Sequence, residues 1–292
     1  MVVSALRSFR NRIRSIEERC TKIQEALGRI ENRQIWDLAP ADMHEAEFKV
    51  FSQWGEDGIL QHLLRHINIS KNVFIEFGVE NYTESNTRFL LTNNNWSGLV
   101  IDGSSNNIDF IKNDDIYWRH NLKAEHAFIT RENINDLIRR NGISGEIGLL
   151  SIDIDGNDYW VWEAIDAVLP SIVVVEYNSR FGFEKALTVP YDAKFSRLAA
   201  HYSSIYYGAS LAALCLLGTR KGYSLIGSNS AGNNAFFVRN ELRPPSLPVL
   251  SPAEGFVQAC FRESRNRQGS LAFLTSEQEA AILDQLPLVE IT

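Results

Sequence analysis

A stripe of large apolar side chains runs along the first thirty residues of the chain. Gaps of three and four residues alternate between its members, which are Leu6, Phe9, Ile13, Ile16, Cys20, Ile23, Leu27 and Ile30. An average spacing of about 3.5 residues is typical of the seam of a coiled coil. We therefore predict a coiled-coil helix over residues 1–34, followed by a linker over residues 35–47.

The apolar side chains of such a seam must pack against another surface, and three surfaces are considered. A second copy of the chain would give a homodimer. The helix could instead pack its seam on the globular part of its own chain, or lie on a membrane surface as a peripheral contact. The seam is only two positions wide in each heptad, which favours the coiled coil, because the other two arrangements call for a wider apolar stripe.

From residue 48 onward, apolar runs of strand length alternate with helical patterns. The runs are VFIEFG at 73–78, GLVID at 98–102, HAFIT at 126–130, GLLSID at 148–153 and SIVVVEY at 171–177. Strands that helices cover on both faces are apolar at consecutive positions, and connections of this length suit parallel strands. Two later runs, GYSLIGS at 222–228 and NNAFFVRN at 233–240, flank a short turn and predict an antiparallel pair.

The predicted fold class is thus α/β, a Rossmann-like doubly wound, mostly parallel sheet with an antiparallel last strand. We assign it to residues 48–242, behind the N-terminal coiled-coil helix. Residues 243–292 begin with four prolines in nine positions and continue with an amphipathic stretch and a capping box, Ser276 to Glu279. We expect this segment to cover the domain or to form an oligomer contact.

Composition and charge narrow the class of function. The chain has 292 residues and a net charge of -7, of which residues 1–35 carry +4 and the rest -11. An acidic body disfavours binding to nucleic acid, which usually needs a basic face. Apolar stretches fall short of the roughly 20 residues that span a bilayer, so we expect no transmembrane segment. The first residues lack the apolar core of a secretory signal, and three widely spaced cysteines suit a reducing cytoplasm.

Polar residues follow the first two predicted strands. In a doubly wound sheet, ligands bind beyond the carboxyl ends of the strands, where strand order reverses. Gly78 ends the first strand and would let the backbone approach a ligand closely. Asp102 ends the second strand, about 26 residues after Glu76, which is a spacing typical of a carboxylate that binds a ribose diol. A helix cap is the alternative role for Asp102.

The fourth predicted strand runs into a carboxylate-rich rim. Asp153, Asp155 and Asp158 follow it, and Glu176 and Asn178 follow the fifth strand. Buried carboxylates cost several kcal/mol by order of magnitude unless they are paired or coordinated, so a cation or polar ligand is implied. Asp153, Glu176 and Asn178 are oxygen ligands that Mg²⁺ accepts. The same groups could instead bind a cofactor, act as a base or hydrogen-bond an acceptor.

Several of these strings resemble one known family. FSQWGEDGIL, FIEFGVENYTESNT, GLVIDGS, LLSIDIDGNDYWVWEAI, IVVVEYNS and GNNAFFVRN are similar to the FkbM-type branch of class I S-adenosylmethionine methyltransferases, over about residues 50–240. The segment 152–158 follows that family's I-D-x-E/D-G-x-E/D spacing. Tyr82 is a departure, since such families often have a second glycine there.

The resemblance implies an S-adenosylmethionine-dependent O-methyltransferase acting on a hydroxyl of a small molecule, a sugar or a glycan. Glu76 and Gly78 would face the methionine part of the cofactor and Asp102 its ribose, with residues 130–133 near the adenine. The predicted cofactor-binding residues are Glu76, Gly78, Glu80, Asp102, Ser104 and Thr130. The predicted catalytic residues are Asp153, Asp155 and Asp158, any of which could accept the proton of the hydroxyl.

Two other functions are weighed against this one. A catalytically inactive scaffold that recruits partners through the coiled coil is suggested by Tyr82. A nicotinamide-dependent oxidoreductase would share the fold, but the chain lacks the G-x-G-x-x-G loop of that class.

Overall fold

The computed structural model describes the backbone of residues 2–38 and 42–292, and their side chains except those of residues 2–8, 11, 14 and 38. Its helices are α1 Val2–Leu38, α2 Glu56–His66, α3 Arg88–Asn93, α4 Ser105–Asn113, α5 Asp115–Arg119, α6 Ile134–Arg140, α7 Asp158–Ala164, α8 Arg197–Ala200, α9 Leu211–Lys221, α10 Pro252–Gly255 and α11 Ser276–Leu283. Short 3₁₀ turns lie at His44–Ala46 and Ser179–Phe181. Pro40, in the predicted linker, lies outside the described residues.

The strands are β1 Val73–Phe77, β2 Ser97–Asp102, β3 Leu122–His126, β4 Gly145–Ile152, β5 Val168–Glu176, β6 Leu187–Thr188, β7 Tyr223–Ser228, β8 Asn234–Arg239 and β9 Val289–Glu290. Seven of them form one sheet in the order β3-β2-β1-β4-β5-β8-β7. The first five are parallel, and β8 is antiparallel to both of its neighbours. The predicted Rossmann-like fold with an antiparallel last strand is confirmed.

Burial on both faces of the sheet explains the consecutive apolar positions. Ile75 and Leu150 point into one core layer, while Phe74 and Leu149, one residue earlier on each strand, point into the other. All four side chains are fully buried. Chain order reverses between β1 and β4, so the carboxyl ends of these two strands border the crevice at which such sheets bind ligands.

The third strand was predicted four residues too late. It spans Leu122–His126 and pairs with β2 from Gly98 to Asp102, whereas residues 127–130 form the loop that follows it. The strand lies at the edge of the sheet, and its burial alternates along LKAEH because one face is partly open to solvent. An alternating strand of this kind lacks the continuous apolar run by which the inner strands were recognised.

Helix α1 continues four residues beyond the predicted end at residue 34. The helix lies on the chain's own domain in part, but the described side chains of its seam do not make that contact. Six seam side chains, Phe9, Ile13, Ile16, Ile23, Leu27 and Ile30, are 40–63% exposed. The helix instead docks through another face, on which an added Cβ at Gly28 would lie 2.4 Å from Val50 and Ile35 is buried. The predicted linker contributes the buried side chains of Met43 and Ala46 to the core.

The C-terminal segment covers part of the domain. We call residues 256–265 the C-terminal strap. Tyr177, just after β5, donates its hydroxyl to the carbonyl of Val257 at 2.7 Å, and Ala259 donates its backbone N–H to Ser179 Oγ at 3.1 Å. The capping box of α11 uses Thr275 and Gln278, one residue earlier than predicted. Across residues 2–38 and 42–292, no helix has the length and apolar character needed to cross a membrane.

Candidate active site

A cavity of about 500 Å³ opens at the carboxyl ends of the parallel strands. One half of its wall follows β1, β2 and β3, and the other half follows β4 and β5, with the C-terminal strap along the rim. The volume lies within the range of about 300–1,000 Å³ that is usual for small-molecule sites. The crevice predicted from the doubly wound sheet is therefore a formed cavity.

Gly78 is required by the geometry of the first loop. Its φ is +69°, and a Cβ at this position would lie 1.7 Å from the carbonyl oxygen of Asp153. The loop after β1 therefore crosses directly against the loop after β4, which no larger residue permits. Gly78 lines the cavity, as the sequence predicted for a residue beside the ligand.

Glu76 lines the same half and accepts three hydrogen bonds. Its Oε1 accepts from the N–H of Asn86 at 2.8 Å, and its Oε2 accepts from the N–H and hydroxyl of Thr87 at 3.1 and 2.5 Å. Burial raises the pKa of Glu76 to about 7, against the lowering effect of those bonds. The Glu76 carboxylate thus fixes the start of α3 beside the cavity.

Asp102 ties together the loops after β1 and β2. Its Oδ2 accepts from the N–H of Glu80 at 2.8 Å, and its Oδ1 accepts from Ser104 N–H and Asn107 Nδ2 at 2.8 and 3.0 Å. A carboxylate has about four acceptor positions, so Oδ2 can take one more hydrogen bond from the cavity. Glu80, with a φ of +47°, lines the cavity, whereas Ser104 caps α4 and does not.

The loop after β3 brings apolar side chains to this half. Ala127, Phe128 and Ile129 line the cavity, whereas Thr130, the predicted contact, lies one residue beyond them. Thr130 is held in the turn before α6 through bonds with Asn133. The loop after β3 therefore borders the cavity through its apolar residues, and the predicted contact of Thr130 with the adenine stays a prediction.

Tyr82, which stands where a second glycine was expected, does not enter the cavity. It adopts a φ of +64°, and its side chain is fully buried in the core on one side of the sheet. Its hydroxyl bonds to Thr87 Oγ1 at 2.9 Å. The loop therefore keeps a left-handed residue at this position, and its side chain points into the core.

Two buried carboxylates in the string WGED shape the rim beside Trp54. Glu56 accepts from the backbone N–H groups of Trp54 and Gly55 through Oε2 at 2.9 Å, and from Asn234 Nδ2 through Oε1 at 2.8 Å. Asp57 accepts three backbone N–H bonds from residues 50–52, and burial raises its pKa to about 6. These bonds fix residues 50–55 against β8, so that Gln53 and Trp54 line the cavity.

The carboxylates of Asp153, Asp155 and Glu176 meet in the other half. Each has an oxygen within 4.8 Å of the other two. Glu176 is 7% exposed, and its Oε2 has no hydrogen-bond partner among the described residues. Burial, followed by the charge of Asp153, raises the pKa of Glu176 well above its ordinary value; burial and Asp155 do the same for Asp153. Like charges this close favour a shared proton.

Two residues predicted for this cluster have structural roles instead. Asp158 is fully buried outside the cavity, where its oxygens accept from the backbone N–H groups of Ile154 and Gly156 at 2.8 and 2.9 Å. Burial raises its pKa to about 6. Asn178 donates its amide to the carbonyls of Ile205 and Tyr207. Asp158 therefore does not line the cavity, and Asn178 does not belong to the carboxylate cluster.

An arginine that the sequence analysis missed lies beside these carboxylates. Arg197 pairs with Asp155 at 2.7 Å and with Glu263 of the C-terminal strap at 2.5 Å, and its guanidinium lies 3.8 Å from the centre of the Tyr207 ring. Burial alone would lower the pKa of Arg197, but Tyr207, Glu263 and the cavity carboxylates raise it above its ordinary value. Arg180 holds the other side of Glu263 at 3.0 Å.

Arg197 also decides how a metal could fit. Asp153, Asp155 and Glu176 supply the oxygen donors that Mg²⁺ prefers, but Asp155 is already paired with a fixed guanidinium. A cation bound by all three carboxylates would lie close to that guanidinium. The predicted ligand set thus loses Asn178, and a Mg²⁺ ion that also used Asp155 would share that carboxylate with Arg197.

The mouth of this half is aromatic. The rings of Trp54 and Phe261 stack with centroids 5.9 Å apart and planes 17° apart, and Phe195 lines the wall nearby. Asn157 and Asn234 also line the cavity, and each has a buried side-chain oxygen with no partner among the described residues. This half combines flat apolar surfaces with oxygens that lack a hydrogen-bond donor.

Searches against known proteins returned only structural likeness. No family model matches the chain, and no curated protein matches it in sequence. The N-terminal domain of EvdMO1 with SAH bound aligns with 72% of this chain and 94% of that one, at 11% identity and a TM-score of 0.41. A putative O-methyltransferase from Klebsiella pneumoniae aligns with 75% and 99%, at 13% identity and a TM-score of 0.38.

The O-methyltransferase from Bacillus cereus in complex with SAH aligns with 57% of this chain and 72% of that one, at 13% identity and a TM-score of 0.34. These three TM-scores are below 0.5. We therefore infer function from the cavity and the sheet of this chain alone.

Proposed function

We propose that this protein is an S-adenosylmethionine-dependent methyltransferase that acts on an acceptor hydroxyl. One observation carries the proposal: a single cavity at the switch point joins a glycine-lined loop and Asp102 to two neighbouring carboxylates with raised pKa values, the buried Glu176 and the partly buried Asp153. The first half offers what a nucleoside cofactor needs, and the second offers a base. The resemblance of the cavity-lining strings to class I methyltransferases agrees with this division.

The first half suits the cofactor in shape and chemistry. Gly78 lines the cavity and lets the loop after β1 cross directly against the loop after β4, and Asp102 Oδ2 can accept from a ribose hydroxyl. Phe128 and Ile129 provide an apolar wall for a flat base. When bound, S-adenosylmethionine supplies an electrophilic methyl group on a sulfonium.

The second half suits proton removal from an acceptor. A general base works best when its pKa lies near the working pH, and burial together with mutual repulsion moves the pKa values of Asp153 and Glu176 upward. When Asp153 and Glu176 share one proton, the pair still has one unprotonated carboxylate, which can accept the proton of the hydroxyl. We assign this role to Glu176, whose Oε2 has no hydrogen-bond partner among the described residues. Arg197 pairs with Asp155 and offsets part of the negative charge of the carboxylates before the proton is taken up.

The acceptor that we propose is a sugar, a glycan or a related polyhydroxylated compound. Three buried oxygens of cavity-lining residues, on Asn157, Glu176 and Asn234, have no donor among residues 2–38 and 42–292, and a ring with several hydroxyls can supply donors. The stacked rings of Trp54 and Phe261 offer an apolar face at the mouth. Both features favour a hydroxyl-rich ring with one apolar face over a purely apolar acceptor.

We also propose that two copies of the chain associate through α1, since its exposed seam needs a cover. The three free cysteines fit the reducing cytoplasm, in which we propose that the protein acts.

The test separates cofactor binding from transfer. Calorimetric titration of S-adenosylhomocysteine should show binding to the wild type and to Glu176→Gln alike. Labelled S-adenosylmethionine mixed with a cell extract should then label an acceptor with the wild type only, and mass spectrometry identifies the product. If the wild type shows neither binding heat at several temperatures nor thermal stabilisation, the proposal fails and a scaffold role replaces it.

A further inference from the structure

Helix α1 presents two faces with different tasks. Its second half docks on the domain through Gly28, Asn32 and Ile35, where Asn32 donates to Gln61 at 3.2 Å and Arg65 donates to the carbonyl of Ile35 at 3.1 Å. The seam lies on the far side of the helix, since these docking residues occupy heptad positions b and f when Leu6 is counted as a. Docking therefore holds the helix in place and leaves the seam uncovered.

We infer that the seam joins two copies of the chain as a parallel, in-register coiled coil, with the two Cys20 side chains facing each other. This rests on the proposed dimer and adds its orientation. From Phe9 to Ile30 the seam extends about 32 Å along the helix. Cys20 occupies an a position, and equivalent a residues meet across the axis only in a parallel, in-register pair.

The charges that flank the seam distinguish the two orientations. In the parallel pair, each g residue faces the e residue five positions later, which sets Arg12 beside the partner's Glu17 and brings no like charges together. In an antiparallel pair that overlaps the whole seam, Arg19 would face the partner's Arg19 and Glu17 the partner's Glu17. Opposite charges at e and g determine orientation in coiled coils, so the parallel pair is favoured.

Arginines beside the seam, such as Arg12 and Arg19, would also suit an anionic membrane surface. The strict two-position seam favours the protein partner, because a membrane-lying helix calls for a broader apolar face.

The first experiment measures mass. Light scattering of the full chain at micromolar concentration should give two chains, and Ile16→Glu with Ile23→Glu should give one. Lys22→Glu with Arg29→Glu, which places two glutamates at c positions of the same helix, should remain dimeric. A wild-type mass of one chain overturns the inference; flotation of that monomer with phosphatidylcholine–phosphatidylserine vesicles, but not with phosphatidylcholine alone, would then assign the seam to a membrane.

The second experiment measures orientation. With Cys215→Ala and Cys260→Ser, Cys20 is the only thiol, and mild copper-phenanthroline oxidation should link two chains on a non-reducing gel. Adding Cys20→Ser and Lys22→Cys moves the thiol off the seam and should abolish most of the linkage. A dimer by mass that does not link through Cys20 overturns the parallel register. Unchanged binding of S-adenosylhomocysteine by Ile16→Glu with Ile23→Glu separates these results from the proposed activity.

Discussion

At the ends of β1 and β2, Glu76 and Asp102 each accept three hydrogen bonds. At the end of β5, in contrast, Glu176 keeps a buried oxygen that has no partner in the part of the chain that the structure describes. The first two carboxylates fix loops, and their donors are already in place. The Glu176 carboxylate is costly to keep ionised, and it can accept a further hydrogen bond. Under the proposed function, the carboxylates with all their donors in place belong to the part that holds the cofactor, and the carboxylate with a free oxygen belongs to the part that reacts.

The largest effect should come from the unsatisfied side. Glu176→Gln keeps the shape but removes the base, so turnover should fall by about 10²- to 10⁴-fold. The affinity for S-adenosylhomocysteine should stay the same, because Glu176 lies in the acceptor half. Single-turnover methyl transfer and calorimetry measure the two quantities. Equal turnover in wild type and variant would remove Glu176 from the mechanism.

The same variant should change how stability depends on pH. A carboxyl whose pKa is raised on folding stabilises the fold fully below its ordinary pKa, and this contribution is lost as the pH rises through the raised value. Asp153 and Glu176 are both raised, and Glu76 is raised to about 7. The melting temperature of the wild type should therefore fall from pH 5 to pH 9, and Glu176→Gln should fall less. An identical slope would contradict the assigned shift.

The second effect tests the contact that joins the two halves. Gly78→Ala must displace the Asp153 carbonyl or the loop, and we expect a loss of about 2–4 kcal/mol in the free energy of unfolding. Gly145→Ala is a matched control, because Gly145 has the same φ of +69° with nothing within 4 Å of an added Cβ. Its loss should be only about 1–2 kcal/mol. Urea denaturation compares them, and equal losses would mean that the close approach is unimportant.

The third effect concerns the satisfied side. Asp102→Ala should weaken binding of S-adenosylhomocysteine by about 10- to 100-fold, as for the loss of one charge-assisted hydrogen bond, and should also lower stability because three donors lose their acceptor. Ser104→Ala is the control. It removes only the cap of α4, at about 1 kcal/mol, and should leave affinity unchanged. If both variants lose stability and neither loses affinity for S-adenosylhomocysteine, Asp102 is a capping residue.

The smallest effect should come from metal removal. Arg197 already neutralises Asp155, so exhaustive EDTA treatment should change neither S-adenosylhomocysteine binding nor turnover. Loss of turnover that added Mg²⁺ restores would show that the guanidinium gives way to a metal held by Asp153, Asp155 and Glu176.

The inner strands could be predicted because burial on both faces of the sheet requires runs of consecutive apolar residues, which are visible in the sequence. Phe74, Ile75 and their neighbours in β1 are apolar at consecutive positions, and β2, β4 and β5 follow the same rule. The polar residue that follows such a run lies at the rim, which is how Asp153 and Glu176 were found. The edge strand β3 has one open face, so its position was misjudged.

Other parts of the site have no recognisable pattern in the sequence around them. Arg197 lies on a four-residue helix, and Phe261 and Glu263 reach the cavity only through the C-terminal strap, so their proximity is a tertiary fact. Asp158 and Asn178 were misjudged for the opposite reason. A side chain that caps its own turn has the same sequence signature as one that binds a ligand, because both are polar residues that follow a buried strand.

The C-terminal strap gives the assembly of the site an order in time. Glu263 follows Glu176 by 87 residues. A ribosome adds about 5–20 residues each second, so about 4–17 s separate the synthesis of the two. The five parallel strands are already synthesised when that interval begins, but until Glu263 follows, Arg197 lacks one of its two carboxylate partners and Trp54 lacks its stacking ring. We expect nascent chains to be unable to hold an acceptor until the strap has been translated and has closed over the sheet.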